Sequence, residues 1–163
     1  MEEASLGLAS ASANGRHELL FERDLPFTPE DIWTTVSSAE RIGLWLAEAD
    51  VERRPKGHFR LRGQCNVNGV VLEAIPPAVL RWTWPHPDHP HSVVKITIAK
   101  LDDAASRLTL TQTDLPKRHL LDVAAGWHTH LDALPRAIAG KRTPFDTERA
   151  AEHHQRHATA FRA

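Results

Sequence analysis

LDVAAGWHTHLDALPRAIAG, residues Leu121–Gly140, carries large apolar side chains at Val123, Trp127, Leu131, Leu134 and Ile138. Their intervals of four, four, three and four draw one stripe along an α-helix. Gly140, followed by Lys141 and Arg142, is a stop signal, because glycine tolerates the left-handed turn that ends a helix and cations suit its negative end. Pro135 removes one backbone donor near the carbonyl of Leu131, which predicts a kink there. No other segment has so large a helical stripe, so any sheet in this chain must be covered by this helix.

Upstream the period changes to two. His17–Leu25 alternates, with Leu19 and Phe21 on one side and Glu18, Leu20 and Glu22 on the other, which predicts a first strand. Two short helices are expected next. Thr28 caps the first, with Pro29 in its first turn and Ile32, Trp33 and Val36 on its inner side. Ser37 with Glu40 reads as a second capping box, opening a helix through about Leu46 that aims Ile42 and Trp45 one way.

Strand signals then follow without a further helix. They fall at Val51–Arg53, around Phe59 and Leu61, at Val70–Ile75, through Leu80, Trp82 and Trp84, through Val94, Ile96 and Ile98, and through Leu108, Leu110 and Gln112. Asn66–Gly69 reads as a turn or bulge, Pro76-Pro77 as a breaker, and Asp102-Asp103 as the start of a hairpin turn. Each strand is apolar on one side only, which argues for an antiparallel sheet with one covered face. The order strand, two short helices, six strands, long helix gives an α+β fold, a curved antiparallel sheet wrapped around the C-terminal helix.

The chain has 163 residues, 41% hydrophobic and 25% charged, enough for one domain with its own core. The expected division is a disordered arm over 1–15, one domain over 16–140, and a polar, helical tail over 141–163. A formal net charge of -1 supplies no overall field for nucleic acid or an anionic membrane, so neither is expected as a partner. Cys65 is the only cysteine, which excludes an internal disulfide. With no apolar run of signal or spanning length, the cytoplasm is the expected compartment.

Particular stretches carry a family likeness: PFTPEDIWTTVSSAERIGLWL, GVVLEAIPPAVLRWTW, SVVKITIAKLDDAASRLTLTQTDLP and GWHTHLDAL. Over His17–Gly140 the chain resembles the START-like, or SRPBCC, helix-grip superfamily that includes the birch-pollen allergen. Within it, the chain is most similar to bacterial homologues of the heat-shock-chaperone ATPase activator. The resemblance implies a cavity between the long helix and the concave sheet, and a role in binding hydrophobic ligands or in protein contacts. The histidine-bearing tail after Gly140 lies outside the usual domain.

The residues expected to line that cavity are Trp45, Phe59, Leu61, Trp82, Trp84, Ile96, Leu110, Trp127 and Leu131, with Gln112, His128 and His130 as its polar groups. The alternative is that the same rings pack on one another as ordinary core. Three readings of function follow: binding of a small hydrophobic molecule without catalysis, a protein-interaction module of the chaperone or stress response, and a cyclase- or hydratase-like enzyme using one buried polar side chain. Each predicts something different: respectively a cavity, a closed core with an exposed apolar patch, and a cavity holding a group of shifted pKa. No cofactor is expected. His86, His89 and His91 in a proline-rich loop, and His153 and His157 four apart on the tail helix, are metal-binding residue types without a complete set of ligands, so no metal is expected either. Cys65 reads as an inert thiol, and Glu18, Glu22 and Glu73 as acids whose faces are not fixed. A homodimer is a further expectation, because a tail helix without its own core needs something to lie on.

Overall fold

The computed structural model describes residues 4–162. The strands are β1 (Leu8–Ala11), β2 (His17–Leu25), β3 (Glu48–Val51), β4 (His58–Arg62), β5 (Val67–Ile75), β6 (Val79–Thr83), β7 (Val93–Asp102) and β8 (Ala105–Leu115). The helices are α1 (Pro29–Ser37), α2 (Ala39–Ile42), α3 (Leu120–Ile138) and α4 (Thr147–Arg162). All strand pairs are antiparallel, and the curved, unclosed sheet runs β1-β2-β8-β7-β6-β5-β4-β3. This is the expected α+β helix-grip fold.

The alternation places one apolar row on the inner face. In β8 Leu108 and Leu110 are fully buried and Gln112 nearly so; their registered neighbours are Ile98, Ile96 and Val94 on β7. The α3 stripe meets that face through Trp127, Leu131 and Leu134, while Val123 and Ile138 at its ends are half-buried. Each buried leucine there stabilises the layer by roughly 2 kcal/mol. The helix runs through Pro135 to Ile138 and stops where expected. Gly140 takes φ +85°, and the amide of Lys141 closes back on the carbonyl of Arg136 at 2.8 Å.

Several local boundaries differ from the sequence reading. Ser37 is buried inside α1, its hydroxyl donating to the Trp33 carbonyl at 2.6 Å; Ser38 caps α2 instead. The second helix lasts four residues and gives way to turns at Gly43, a poor helix former. β3 lies three residues earlier than expected, because pairing of Val51 with Phe59 leaves Glu52–Gly57 to make the connecting turn. Asn66–Gly69 is mostly strand: the turn sits at Gly63, with φ +100°, and Gly69 is inside β5 where a β-carbon would overlap the Thr83 carbonyl.

Described residues of both the expected arm and the expected helical tail pack on the domain. Met1–Glu3 lie outside the described residues, but Leu8–Ala11 pairs with His17–Leu20 as an edge strand. α4 packs along α3, with His153 and His157 fully buried. As a result α3 is covered on two sides, and Ala125, His128 and Thr129 are buried as well as the predicted stripe.

Candidate functional site

Most of the expected cavity residues are gathered on the inner face, where their rings contact one another. Phe59 stacks on Trp82 with centroids 4.2 Å apart, Trp82 lies 6.4 Å from Trp84, and Trp84 meets Trp127 edge-on at 5.2 Å. The Trp127 indole donates to Gln112 Oε1 at 2.7 Å, and Gln112 Nε2 donates to Ser92 Oγ at 3.0 Å. Gln112 is therefore a strut of the core, with its amide engaged at both ends. His128 is turned from Gln112 toward the β2 side of the sheet, where it meets Phe21 edge-on at 6.0 Å. It follows Trp127 on the helix, about 100° round the axis, and stacks on His153 of α4 at 3.6 Å.

Clefts open at both ends of α3: the wider, about 870 Å³, lies between the N-terminal strand, Leu120, Leu121 and Phe161, and narrower ones lie at the C-terminal end. A cleft of about 490 Å³ is bordered by the turns after α2, by Arg62–Gln64 at the β4–β5 turn, by His130, and by Arg142–Phe145. A narrower one of about 140 Å³ adjoins it and shares Trp45, His130, Thr143, Pro144 and Phe145. Of the expected residues, Trp45 and His130 border these clefts. Phe59, Leu61, Trp82, Trp84, Ile96, Leu110, Gln112, Trp127, His128 and Leu131 line neither of them.

His130 is the chemical centre of this region. Its Nδ1 lies 3.1 Å from the Trp45 carbonyl, so Nδ1 carries the proton and Nε2 is left as an acceptor. Nε2 lies 3.6 Å from Cys65 Sγ, close enough to accept from the thiol. Burial pushes the His130 imidazole down to about 4 and the Cys65 thiol up to about 11. The pair is thus neutral near pH 7, a thiol donating to an imidazole rather than a thiolate beside an imidazolium. A nucleophilic cysteine needs the opposite shifts, and a base of pKa about 4 is poorly matched to proton abstraction near neutrality. What the arrangement supplies is a cleft of mixed lining, with Trp45, Leu46, Pro144 and Phe145 beside His130, Gln64, Arg62 and Arg142.

The other candidates are placed as follows. Glu73 pairs with Arg81 at 2.7 Å, and Glu22 lies 3.9 Å from Arg107 on the outer face. His86 and His89 stack at 4.6 Å, with His119 against both, and Asp88 accepts from His119 at 2.8 Å; His91 is exposed. The donor atoms of His128, Asp132 and His153 lie within 4.8 Å of one another, and by donor type these residues suit a metal ion. However, the two imidazoles are stacked nearly parallel, with 15° between planes, and an ion bound to both would have to lie in both ring planes. The Cys65–His130 pair was not visible in the sequence, where 65 residues separate its members. Only the register of α3 against the β4–β5 turn joins them.

Residues 26–139 match the family model described as Activator of Hsp90 ATPase homolog 1-like protein. The chain belongs to this family. The crystal structure of CalU16 from Micromonospora echinospora superposes with TM-score 0.77 at 24% identity, covering 96% of this chain and 96% of that one. The solution structure of the protein encoded by BPP1335 from Bordetella parapertussis gives 0.66 at 28% identity, over 94% and 91% of the two chains. PFC0360w, an HSP90 activator from Plasmodium falciparum, gives 0.54 at 19% identity, over 61% and 74%. No curated protein matches the sequence. The activator-family fold is consistent with ligand binding or with an Hsp90-activator-like role. No described helix is long and apolar enough to cross a membrane.

Proposed function

We propose that this activator-family chain binds a small, largely hydrophobic molecule at the end cleft between α3 and the β4–β5 turn. The observation that carries the reading is the cleft itself, floored by Trp45 and a neutral His130 and walled by Phe145. Apolar walls with a few fixed polar groups are the usual make-up of small-molecule sites. The apolar part of the ligand lies against Trp45, Leu46 and Phe145, and a polar end reaches Arg142 or the His130–Cys65 pair. No catalysis is assigned. The test is native mass spectrometry of protein purified from cells under non-denaturing conditions, followed by thermal-shift titration of any molecule recovered. Phe145→Ala and Arg142→Ala should each weaken binding by roughly tenfold, about 1.4 kcal/mol. No retained mass, together with no shift across a panel of apolar carboxylic acids, would overturn the reading.

A second reading, an interaction module that stimulates a heat-shock chaperone ATPase, draws on the packed aromatic interior and on the family. The exposed apolar residues Leu8, Val70, Ile75 and Leu101 are spread over β1, β5 and β7. Measuring Hsp90 ATPase turnover with and without the chain separates the two: stimulation that survives Phe145→Ala would place function on the outer surface.

A further inference from the structure

α4 is anchored in an unusual way. It is 16 residues long, and its only fully buried side chains are His153 and His157. Aliphatic side chains would hold such a helix regardless of pH; imidazoles hold it only in the protonation state their partners accept.

Those partners fix the state. His157 Nε2 accepts from the Gly7 amide at 3.0 Å, and its Nδ1 donates to the His153 carbonyl at 2.8 Å. Both nitrogens are used in the neutral ring, so a further proton on Nε2 would meet the Gly7 N–H head-on. Gly7 has no room to withdraw inward, since a β-carbon there would fall within 3 Å of the Phe21 ring. His153 Nε2 donates to Asp132 Oδ2 at 2.7 Å, and its Nδ1 faces Arg156 Nη1 at 3.4 Å. His128, 1% exposed, lies under the His153 ring with its Nδ1 unpartnered among the described residues.

The surrounding charge is already positive. From β2, the buried Arg23 guanidinium lies over the Phe21 ring at 5.5 Å, with Nε and Nη2 unpartnered among the described residues. From α4 come Arg156 and Arg149, the latter 4.0 Å from Asp132 and 2.6 Å from Glu152. Among the described residues, Asp132 on α3 is the one carboxylate that touches the buried imidazoles. Farther out, His154 pairs with Asp122 at 3.2 Å on the surface.

We propose that α4 and the N-terminal arm form a proton-sensitive latch on α3, docked while His128 and His157 are neutral and released together in mild acid. The direction follows from linkage. Burial and the neighbouring cations hold His128 down to about 2, and burial lowers His157 as well, whereas an exposed imidazole titrates near 6.5. Below about 6.5 the undocked helix therefore binds more protons than the docked one, and docking weakens as pH falls. One imidazole kept neutral shifts the docked ratio about thirtyfold at pH 5.0, and two shift it further.

Hydrogen exchange read by mass spectrometry at pH 7.5 and 5.0, corrected for intrinsic rates, tests the latch. Peptides from α4 and β1 should lose protection at pH 5.0 by about thirtyfold or more relative to β7 and β8. H157Q keeps an acceptor for Gly7 without titrating, and H128F keeps a stacking ring; each should reduce the pH dependence, and the double variant should abolish it. H154A should leave it unchanged. Equal protection of wild-type α4 at both pH values overturns the proposal. So does a pH response that survives in folded H157Q and H128F, or one that vanishes in H154A.

Discussion

Replacing Gln112 by leucine removes the polar strut beneath α3 without creating a large void. Two hydrogen bonds are lost, from Trp127 Nε1 at 2.7 Å and to Ser92 Oγ at 3.0 Å. Ser92 keeps its bond to the Thr113 carbonyl at 2.8 Å, so its donor stays satisfied. The indole N–H of Trp127 does not, since the side chain is 3% exposed and water cannot take the place of Gln112. An orphaned buried donor costs about 1–3 kcal/mol and a lost bond about 1 kcal/mol. The leucine returns part of this as apolar burial. The net loss is about 2 kcal/mol, or roughly 4–8 °C in Tm for a chain of this length. Trp127→Phe alone loses ring area and leaves Gln112 Oε1 empty. In the double variant neither polar group remains, so the two costs should fall short of additive by about 1–2 kcal/mol. The assay is urea unfolding followed by far-ultraviolet circular dichroism, because tryptophan fluorescence changes with the variant. Additivity within about 0.5 kcal/mol, or a Q112L protein as stable as the parent, would show that the amide does not tie α3 to the sheet.

Two further outcomes follow from the cleft. Cys65, with its thiol pushed up to about 11, should react with iodoacetamide at pH 7.5 about two orders of magnitude more slowly than an ordinary thiol, and normally once urea unfolds the chain; rapid native alkylation would refute the neutral Cys65–His130 pair. His130, held down to about 4, binds a proton more readily when unfolded. The stability that depends on its neutral form is present above about 6.5 and lost as pH falls toward 4, by up to about 3 kcal/mol. Urea midpoints between pH 7.5 and 4.5 should therefore fall less steeply in His130→Gln than in the parent, once the α4 contribution is subtracted using H128F/H157Q.

The fold was legible wherever one residue's face was dictated by period alone. The α3 stripe and the alternation of β2, β7 and β8 placed their side chains correctly, because burial of large apolar groups outweighs the choices their neighbours make. The misplaced elements lack that lever. Leu8–Ala11 is exposed along its length and is a strand only because its backbone pairs with β2. The second helix was overextended because a capping signal marks where a helix begins and says little about where it ends. The site was harder for a related reason. Inward faces can be read from a sequence, but whether four rings from three separate segments leave a hole or close it depends on their mutual angles. Here Phe59, Trp82, Trp84 and Trp127 contact one another in turn, and of the expected residues Trp45 and His130 border the cleft at the C-terminal end of the helix.

The two sides of α3 then carry different kinds of adhesion. Toward the sheet it presents Trp127, Leu131 and Leu134, whose side chains carry no group that titrates near neutral pH. Toward α4 it presents His128 and Asp132, whose contacts are directional and depend on charge. Hydropathy records the first kind and is blind to the second, which is why the C-terminal segment reads as a polar tail without its own core although two of its histidines are fully buried. The same asymmetry ranks the layers by resistance to opening: the α4 layer should yield before the sheet does. Thr143, Pro144 and Phe145, which wall the cleft, are the connection between α3 and that weaker layer. Whatever enters the cleft therefore meets a floor fixed by the apolar side of α3 and a wall whose position depends on its polar side.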